Sequence, residues 1–277
     1  MVKLTSLKPH PALFPFVNEY LLAEFNTGRE ILTHPWRASC QFCLVFFLKD
    51  KSLTLRNNKT GYYVAGSHQI GVVGNSTRFN GLMTFKGDYS CFMIQFQPNG
   101  FHRLFGHPPE YFINQIISAD DLFAHGTAAL INHLQNVATF KNMAGATDNF
   151  LMKYLTKKNL QINGLTRVAD ILYKCPEIKT IEKLASQAGM GLRNLERQFL
   201  AQIGVPPKLF CRLIRFNKAM NLKQRNPQKQ WGEIAFQSGY YDQVHFNKEF
   251  REFTDSSPTV FFNETPPTEV LKTAFVV

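Results

Sequence analysis

Two short stretches in the last third of the chain carry side chains that can bond to the edges of DNA bases. They contain Arg193, Asn194, Arg197 and Gln198 in the first stretch, and Gln243, Val244, His245 and Lys248 in the second. Arginine can bind guanine O6 and N7, asparagine and glutamine can bind adenine N6 and N7, and valine can contact the thymine methyl group. These residue types therefore predict direct reading of bases in a major groove.

An internal repeat indicates how those side chains are positioned. The segment 181–189 aligns with 231–239 at an offset of 50, and beyond the glycine the offset becomes 51, so that Leu195 matches Phe246. One inserted residue in the turn accounts for the change. Apolar residues at positions i, i+3, i+4 and i+7 give each copy one buried face. Each copy has the pattern of a helix-turn-helix, and two such units can reach two successive turns of the groove.

A long helix is predicted between the two units, beginning after Pro206-Pro207 and running from Lys208 to about Gln224. Its apolar positions are expected to be buried and its basic positions exposed. Together with one arginine of the second unit, these basic residues are candidates for phosphate contacts: Arg212, Arg215, Lys218 and Arg251.

The charge distribution favours a polyanionic partner. The chain of 277 residues has a net charge of +11, and residues 178–230 hold 11 Lys or Arg against two Glu, a local charge of +9. Charge alone would also fit a membrane surface or an acidic protein. Its coincidence with the repeat favours double-stranded DNA. The longest apolar run is too short to span a bilayer, and no cleavable leader is recognised, so a cytoplasmic protein without membrane contact is expected.

The first hundred residues have the pattern of β-structure. Short runs rich in Val, Phe, Tyr and Ile alternate with Gly, Asn and Asp, which is typical of a barrel or sandwich. Helices are predicted at 101–105, 127–137 and 147–160. A polar, Gly-containing stretch around Lys157 to Gly164 marks the expected domain boundary.

Residues from about Ile178 to Phe262 resemble the double helix-turn-helix domain of the AraC/XylS transcription regulators. The matching elements are Ile181-Glu-Lys-Leu-Ala185, Leu195-Glu-Arg-Gln-Phe199, Gly204-Val-Pro-Pro207, and Ile234-Ala followed by Gly239-Tyr-Tyr-Asp-Gln-Val-His-Phe246 and Phe250. The resemblance implies that the base-facing positions are Arg193, Asn194 and Arg197 in the first unit and Gln243, Val244, His245 and Lys248 in the second.

Four positions depart from the family pattern. Gly191 stands where Ser or Thr usually begins the first recognition helix, so a side-chain cap is missing. Val244 replaces a small polar residue, Lys248 replaces Arg, and Asp255-Ser-Ser-Pro258 replaces Gly-x-x-Pro. These changes bear on the preferred DNA sequence rather than on the fold.

Residues 1–160 resemble the N-terminal sensory domains of part of this family, which are commonly cupin-like barrels followed by helices. Such domains bind a small molecule, dimerise, or both. The candidate pocket residues are aromatic and suit an apolar ligand: Trp36, Phe42, Phe46, Phe85, Phe92 and Phe96. The alternative explanation is that these rings simply fill the core.

The sequence offers little for metal or covalent chemistry. Four histidines of the first domain are isolated rather than in the His-x-His of metal-binding cupins: His34, His68, His102 and His107. Cys40 and Cys43 form a CxxC without a second pair, and are expected to be buried small hydrophobes. No nucleophile elbow or phosphate-binding glycine loop occurs, so no metal, no cofactor and no enzymatic activity are expected.

The predicted fold class is α+β. An N-terminal cupin-like β-barrel with following helices occupies residues 1–160, an all-α domain of two helix-turn-helix units joined by a long helix occupies 161–265, and 266–277 form a tail. The predicted function is sequence-specific transcription regulation with a small-molecule effector, a homodimer and contact with RNA polymerase. The alternatives are a cupin-type enzyme with an auxiliary DNA-binding domain, and a ligand-independent regulator whose first domain only dimerises or docks a partner.

Overall fold

The computed structural model describes the residues 3–49, 53–57, 61–65, 70–119, 122–123, 126–156, 160–176 and 181–264. His68 and the expected tail lie outside them. Within this part of the chain an N-terminal region rich in strands precedes an all-helical C-terminal region, as the sequence predicts. Among the described helices, none has both the length and the apolar character required to cross a membrane.

Ten strands form two antiparallel sheets in the described part of the N-terminal region. They are β1 Lys3–Leu7, β2 Val17–Asn26, β3 Leu32–Pro35, β4 Cys43–Phe47, β5 Leu53–Asn57, β6 Gly61–Ala65, β7 Ile70–Val73, β8 Leu82–Phe85, β9 Asp88–Phe96 and β10 Ile116–Ser118. The larger sheet has the order β1-β2-β9-β4-β7-β10, and the smaller has the order β3-β8-β5-β6. The sequence predicts strands at 41–49, 52–56, 62–64, 70–73, 82–85 and 90–97, which correspond to β4 to β9, and it misses β1, β2, β3 and β10.

The larger sheet is buried on both faces. Successive side chains of a strand point to opposite faces, so β4 and β9 supply two separate clusters. Phe46 and Phe92 pack on the side of the N-terminal helices. Val45 and Met93 pack on the other side, against Phe85 of the smaller sheet. The region therefore consists of three layers: helices, a six-stranded sheet and a four-stranded sheet.

Three α-helices and two 3₁₀-helices cover the outer face of the larger sheet. They are α1 Gly100–Phe105, α2 Gly126–Asn136, α3 Phe140–Met152, and the 3₁₀-helices Pro11–Leu13 and Pro109–Phe112. The start predicted at residue 147 is wrong for α3, because the Thr139 side chain caps the helix by accepting from the N–H of Asn142. Asp148 of this helix accepts from the Tyr20 hydroxyl at 2.8 Å, which ties α3 to β2.

Seven helices form the described C-terminal region. They are α4 Gly164–Lys174, α5 Ile181–Gln187, α6 Leu192–Ile203, α7 Pro207–Arg225, α8 Trp231–Gln237, α9 Gln243–Thr254 and α10 Pro258–Glu264. Two hydrophobic cores lie side by side, one for each helix-turn-helix. The long helix α7 supplies Phe210 to the first core and Phe216 to the second, so it joins the units through buried packing.

Buried polar contacts connect the N-terminal region to the C-terminal helices. The four donor–acceptor pairs are Arg37 Nη1 to Asn217 Oδ1 at 2.7 Å, Ala38 N to Phe253 O at 3.0 Å, Asn75 Nδ2 to Ile203 O at 2.7 Å, and Asn99 Nδ2 to Thr166 Oγ1 at 3.0 Å. They reach α4, the end of α6, α7 and α9. Because each pair satisfies buried polar groups, separating the two regions would leave donors and acceptors without partners.

Candidate nucleic-acid interface

The two helix-turn-helix units have matching geometry. Their first helices, α5 and α8, span seven residues each and begin at 181 and 231, an offset of 50. Their second helices, α6 and α9, span twelve residues each and begin at 192 and 243, an offset of 51. The predicted duplication, with one residue inserted in the turn, is therefore confirmed.

Each turn uses a glycine in the left-handed region. Gly189 has φ +67° and Gly239 has φ +86°, values that side-chain-bearing residues rarely adopt. The residue after each glycine donates its N–H to the alanine carbonyl of the preceding helix, at 2.8 Å in the first unit and 3.0 Å in the second. The same backbone bond thus reverses the chain in both copies.

The two recognition helices begin differently. The carboxylate of Asp242 accepts from the backbone N–H of His245 at 2.7 Å and caps α9. At the equivalent position before α6, Gly191 offers no side-chain bond, which confirms the missing cap. The orphan N–H groups at the start of α6 therefore lack the acceptor that Asp242 supplies to α9.

Buried aromatic and aliphatic side chains orient both recognition helices. Leu195 and Phe199 of α6 are fully buried, as are Phe246 and Phe250 of α9. Trp231 stacks on Phe246 with ring centroids 5.5 Å apart. Because these residues fix the inward face, the residues between them must face outward.

The outward face of α6 carries a small hydrogen-bonded group. Arg193 and Arg197 are exposed, whereas Asn194 and Gln198 are half-buried. The Asn194 Oδ1 accepts from Arg197 Nη2 at 3.1 Å and from Gln198 Nε2 at 3.2 Å. Asn194 therefore holds its two neighbours together on the surface where base contacts are predicted.

The outward face of α9 is fully open to solvent. Its predicted base-reading residues are all exposed: Gln243, Val244, His245 and Lys248. Two large exposed apolar residues of the same helix-turn-helix unit were not predicted as functional. Phe236 of α8 is 79% exposed and Tyr241 of the turn is 94% exposed. Phe236 falls outside the apolar spacing of its helix, and that mismatch is the signal by which the sequence could have revealed it.

Both recognition helices border one groove. The groove is lined by Leu192 and Glu196 of α6, by His245, Lys248, Glu249 and Glu252 of α9, and by Lys208, Cys211, Arg212 and Arg215 of α7, among others. The groove therefore brings residues of α6, α7 and α9 together, but its described lining does not include Arg193, Asn194 or Arg197 of α6.

The predicted phosphate contacts on α7 are less accessible than expected. The expectation of exposure is wrong for Arg212 and Arg215, whose side chains are 26% and 20% exposed, and Lys218 is half-buried. The cause is that Arg212 packs over the Phe253 ring and Arg215 over the Tyr240 ring, each 5.1 Å from the ring centroid. Arg251, in contrast, is exposed on α9.

Arg212 and Arg215 share the buried carboxylate of Glu249 as an ion-pair partner. Arg212 Nε lies 2.7 Å from Glu249 Oε1, Arg212 Nη2 lies 2.6 Å from Glu252 Oε2, and Arg215 Nη2 lies 3.5 Å from Glu249 Oε1. Burial alone would lower the pKa of Arg212, but its bonds to Glu252 and Glu249 raise it above its ordinary value. Glu249 is 3% exposed and was not identified from the sequence.

The six aromatic residues of the predicted pocket do not share one face. Phe42, Phe46, Phe92 and Phe96 belong to the core beside the helices. Trp36 and Phe85 belong to the core between the sheets. Phe42 packs against Phe101 with ring centroids 4.3 Å apart, as expected for rings that fill a core. Of the six, Trp36 borders a cavity, which is described below.

Cys40, which is half-buried, and the buried Cys43 are free thiols that lie against apolar cores. Cys43 is buried between the sheets, where burial raises the pKa of its thiol to about 12. Cys40 lies against the two helix-turn-helix cores, and burial likewise raises its pKa. Within the described ranges, no three His, Cys, Asp or Glu residues are grouped so that they could hold a metal ion.

Comparisons with known proteins agree with this geometry. A helix-turn-helix domain family matches residues 184–264, and a domain of unknown function (DUF6597) matches residues 5–118. The regulator MtrA of Neisseria gonorrhoeae is 24% identical over 170 residues, covering 57% of this chain and 54% of MtrA. The activator RhaS of Klebsiella pneumoniae is 36% identical over 77 residues, covering 28% of this chain and 27% of RhaS.

The chain thus spans about half, or less, of the length of these curated relatives. Among solved structures, ToxT of Vibrio cholerae has a TM-score of 0.49 at 11% identity, with 95% of this chain and 97% of ToxT covered. The duplicated helix-turn-helix and its matches to named regulators lead to one assignment for the C-terminal region. This region is a double helix-turn-helix domain of the kind found in the AraC/XylS transcription regulators.

Proposed function

We propose that the chain is a sequence-specific DNA-binding transcription regulator whose helices α6 and α9 enter adjacent segments of the major groove on one face of DNA. The observation that carries the proposal is that both helices border one groove while presenting polar residues outward. The helix between them has 19 residues. At about 1.5 Å per residue it is roughly 28 Å long, comparable to the roughly 34 Å between successive grooves.

Specific base contacts are assigned first to the arginines of α6. Arg193 and Arg197 are exposed, and their guanidinium groups carry the paired donors that bind guanine, whereas the amides of Asn194 and Gln198 are suited to adenine. In α9 the corresponding set is Gln243, Val244, His245 and Lys248. Phe236 and Tyr241 extend this surface, because exposed apolar rings of this size commonly mark a contact region.

The N-terminal region is proposed to regulate this activity by binding a small molecule. Support comes from the buried contacts that link β-sheet loops to α6, α7 and α9. The proposed domain limits are 1–160 and 161–265. The proposal extends to a cytoplasmic homodimer that contacts RNA polymerase, by resemblance to the AraC/XylS regulators, and to a protein without enzymatic activity.

Selection of bound DNA from a random duplex pool tests the proposal. The unmodified chain, Arg197→Ala and the control Arg29→Ala are compared at near-physiological salt. Arg29 is exposed in the N-terminal region. A bipartite motif is expected. In Arg197→Ala the preference for one base in one half of the motif should weaken by about 1–3 kcal/mol of binding free energy, and the control should show no change. No enriched motif, with binding that disappears as salt rises, would reduce the interaction to non-specific electrostatics.

A further inference from the structure

A small cavity lies between the two sheets, next to the C-terminal region. Its lining includes Trp36, Arg37, Ser39, Ser76, Met83 and Ile116. Its volume is about 30 Å³. Since one water needs roughly 10–15 Å³, the cavity has room for about two water-sized groups.

Arg37 connects this cavity to the DNA-binding region. The residue is 3% exposed, and its Nη1 donates to Asn217 Oδ1 at 2.7 Å and to the Ala38 carbonyl at 3.0 Å. Its guanidinium carbon lies 5.4 Å from the centroid of the Phe216 ring on α7. The second terminal nitrogen, Nη2, has no hydrogen-bond partner within the described structure.

The charge of Arg37 is buried without a counter-charge. The described residues that line the cavity include no Asp or Glu, and no described carboxylate forms an ion pair with this arginine. Burial lowers its pKa to about 9, so the guanidinium is still charged at neutral pH. An isolated buried charge is unfavourable unless an opposite charge neutralises it.

Two neighbouring groups complete the site. The Ser39 hydroxyl is also buried without a hydrogen-bond partner in the described residues, and it can donate to an anion. His34 lines the same cavity, and burial together with the charge of Arg37 lowers the pKa of its imidazole to about 3. At neutral pH the histidine is therefore uncharged, so Arg37 supplies the positive charge at the cavity.

We propose that this cavity binds one small monovalent anion, a halide or a carboxylate of the size of formate, through Arg37 Nη2 and Ser39 Oγ. A water molecule could accept the same hydrogen bond but could not neutralise the charge. Because Arg37 also bonds to Asn217, the bound anion would stabilise the contact between the N-terminal region and α7. Neither the anion site nor its effect on this contact rests on the proposed function.

Fluorescence of Trp36 gives a direct test in the full chain. The chain has two tryptophans, so Trp231→Phe leaves Trp36, which borders the cavity, as the only reporter. Bromide is titrated at constant sodium concentration, with gluconate replacing it as an anion too large to enter. Saturable quenching by bromide is expected. A linear response to bromide, of the kind that collisional quenching gives, would overturn the proposal.

Thermal unfolding of the unmodified chain provides the second readout. Formate or chloride at about five times Kd should raise the midpoint by roughly 2–4 °C, whereas gluconate should not. A response to propionate or benzoate larger than that to formate would overturn the size limit and assign the site to the carboxylate of a larger molecule. Equal responses to all anions would overturn the site itself.

Matched variants locate the effect. Arg37→Gln should abolish both responses, and Arg103→Gln should retain them, because Arg103 also lies over a phenylalanine ring, that of Phe16 at 4.4 Å, but outside the cavity. If Arg37→Gln does not fold, Ser39→Ala should still weaken bromide binding about tenfold through loss of one hydrogen bond to a charged group. Unchanged affinity in Ser39→Ala would contradict the proposed site. None of these readouts involves DNA, so they are independent of the proposed function.

Discussion

Glu249 Oε1 accepts a hydrogen bond from Arg212 Nε at 2.7 Å, and this contact joins the second recognition helix to the long helix α7. Glu249 is 3% exposed, so the pair is shielded from water on the glutamate side. Arg215 approaches the same oxygen at 3.5 Å. A buried carboxylate between two arginines fixes how α9 is placed relative to α7, and therefore how the outward residues of α9 face a groove.

Glu249→Gln should destabilise the protein by about 2–3 kcal/mol, somewhat less than the 3–5 kcal/mol typical when one partner of a fully buried ion pair is lost, since Arg212 keeps Glu252. Chemical denaturation measures the loss. Glu252→Gln is the matched control and should cost less than about 1 kcal/mol, because the Glu252 side chain is 49% exposed. Equal losses in the two variants would contradict the structural role of Glu249.

Arg251→Ala should weaken binding to all DNA sequences to a similar extent. Arg251 is exposed on α9 and is predicted to contact phosphate, so its loss should reduce the slope of log K against log salt by about 1. Affinities for a selected and a scrambled duplex, measured between low and physiological salt, provide the check. A loss confined to the selected sequence would make Arg251 a base-reading residue instead.

The unequal caps of the two recognition helices predict opposite effects on stability. Asp242→Ala removes the acceptor for the N–H of His245 and should cost about 1 kcal/mol. Gly191→Ser supplies a missing cap and should stabilise by a few tenths of a kcal/mol, since Gly191 has extended backbone angles and nothing lies within 4 Å of an added Cβ atom. Thermal unfolding measures both; a destabilising Gly191→Ser would show that α6 cannot use the cap.

The buried His34 predicts a loss of stability in mild acid. Burial and the charge of Arg37 lower the pKa of His34 in the folded state to about 3, against an ordinary value of 6.5. The unfolded chain therefore binds the proton more tightly, and stability falls as the pH drops from about 6.5 towards 3. The loss attributable to His34 is about 2 kcal/mol at pH 5. Denaturation at several pH values should give a flatter profile for His34→Gln, and parallel profiles would contradict the assignment.

The C-terminal region was predictable because its information is local and repeated. Spacings between Ile181 and Gly189, and again between Trp231 and Gly239, specify helix faces and turns without reference to distant residues. The duplication also provides an internal comparison, which identifies the residue inserted in the second turn. The sequence did not identify Glu249, because an acidic residue on a helix with basic neighbours is expected to face solvent. Its burial depends on the packing of α7 against α9, which brings Arg212 to it.

The N-terminal region was less predictable because its contacts are long-range. β2 carries Asn18, Glu19 and Glu24 within its ten residues, which weaken the strand pattern, although the strand pairs with both β1 and β9. Strands that are buried on both faces show no alternation of polar and apolar residues. The sequence therefore could not indicate which of the six candidate pocket aromatics belongs to which core. The bond between Arg37 and Asn217 joins residues 180 positions apart and left no signal in the sequence.

The loop that carries Arg37 and Ala38 also limits how independent the C-terminal region is of the N-terminal region. Ala38 is fully buried in the core of the second helix-turn-helix and donates its N–H to the carbonyl of Phe253. The pair of helix-turn-helix units therefore depends on the N-terminal region for part of its core, and cannot be transferred to another protein without a loss of packing. Grafted onto another N-terminal domain, it would keep a recess shaped for this loop, and any graft that retains full stability must carry residues 36–40 with it.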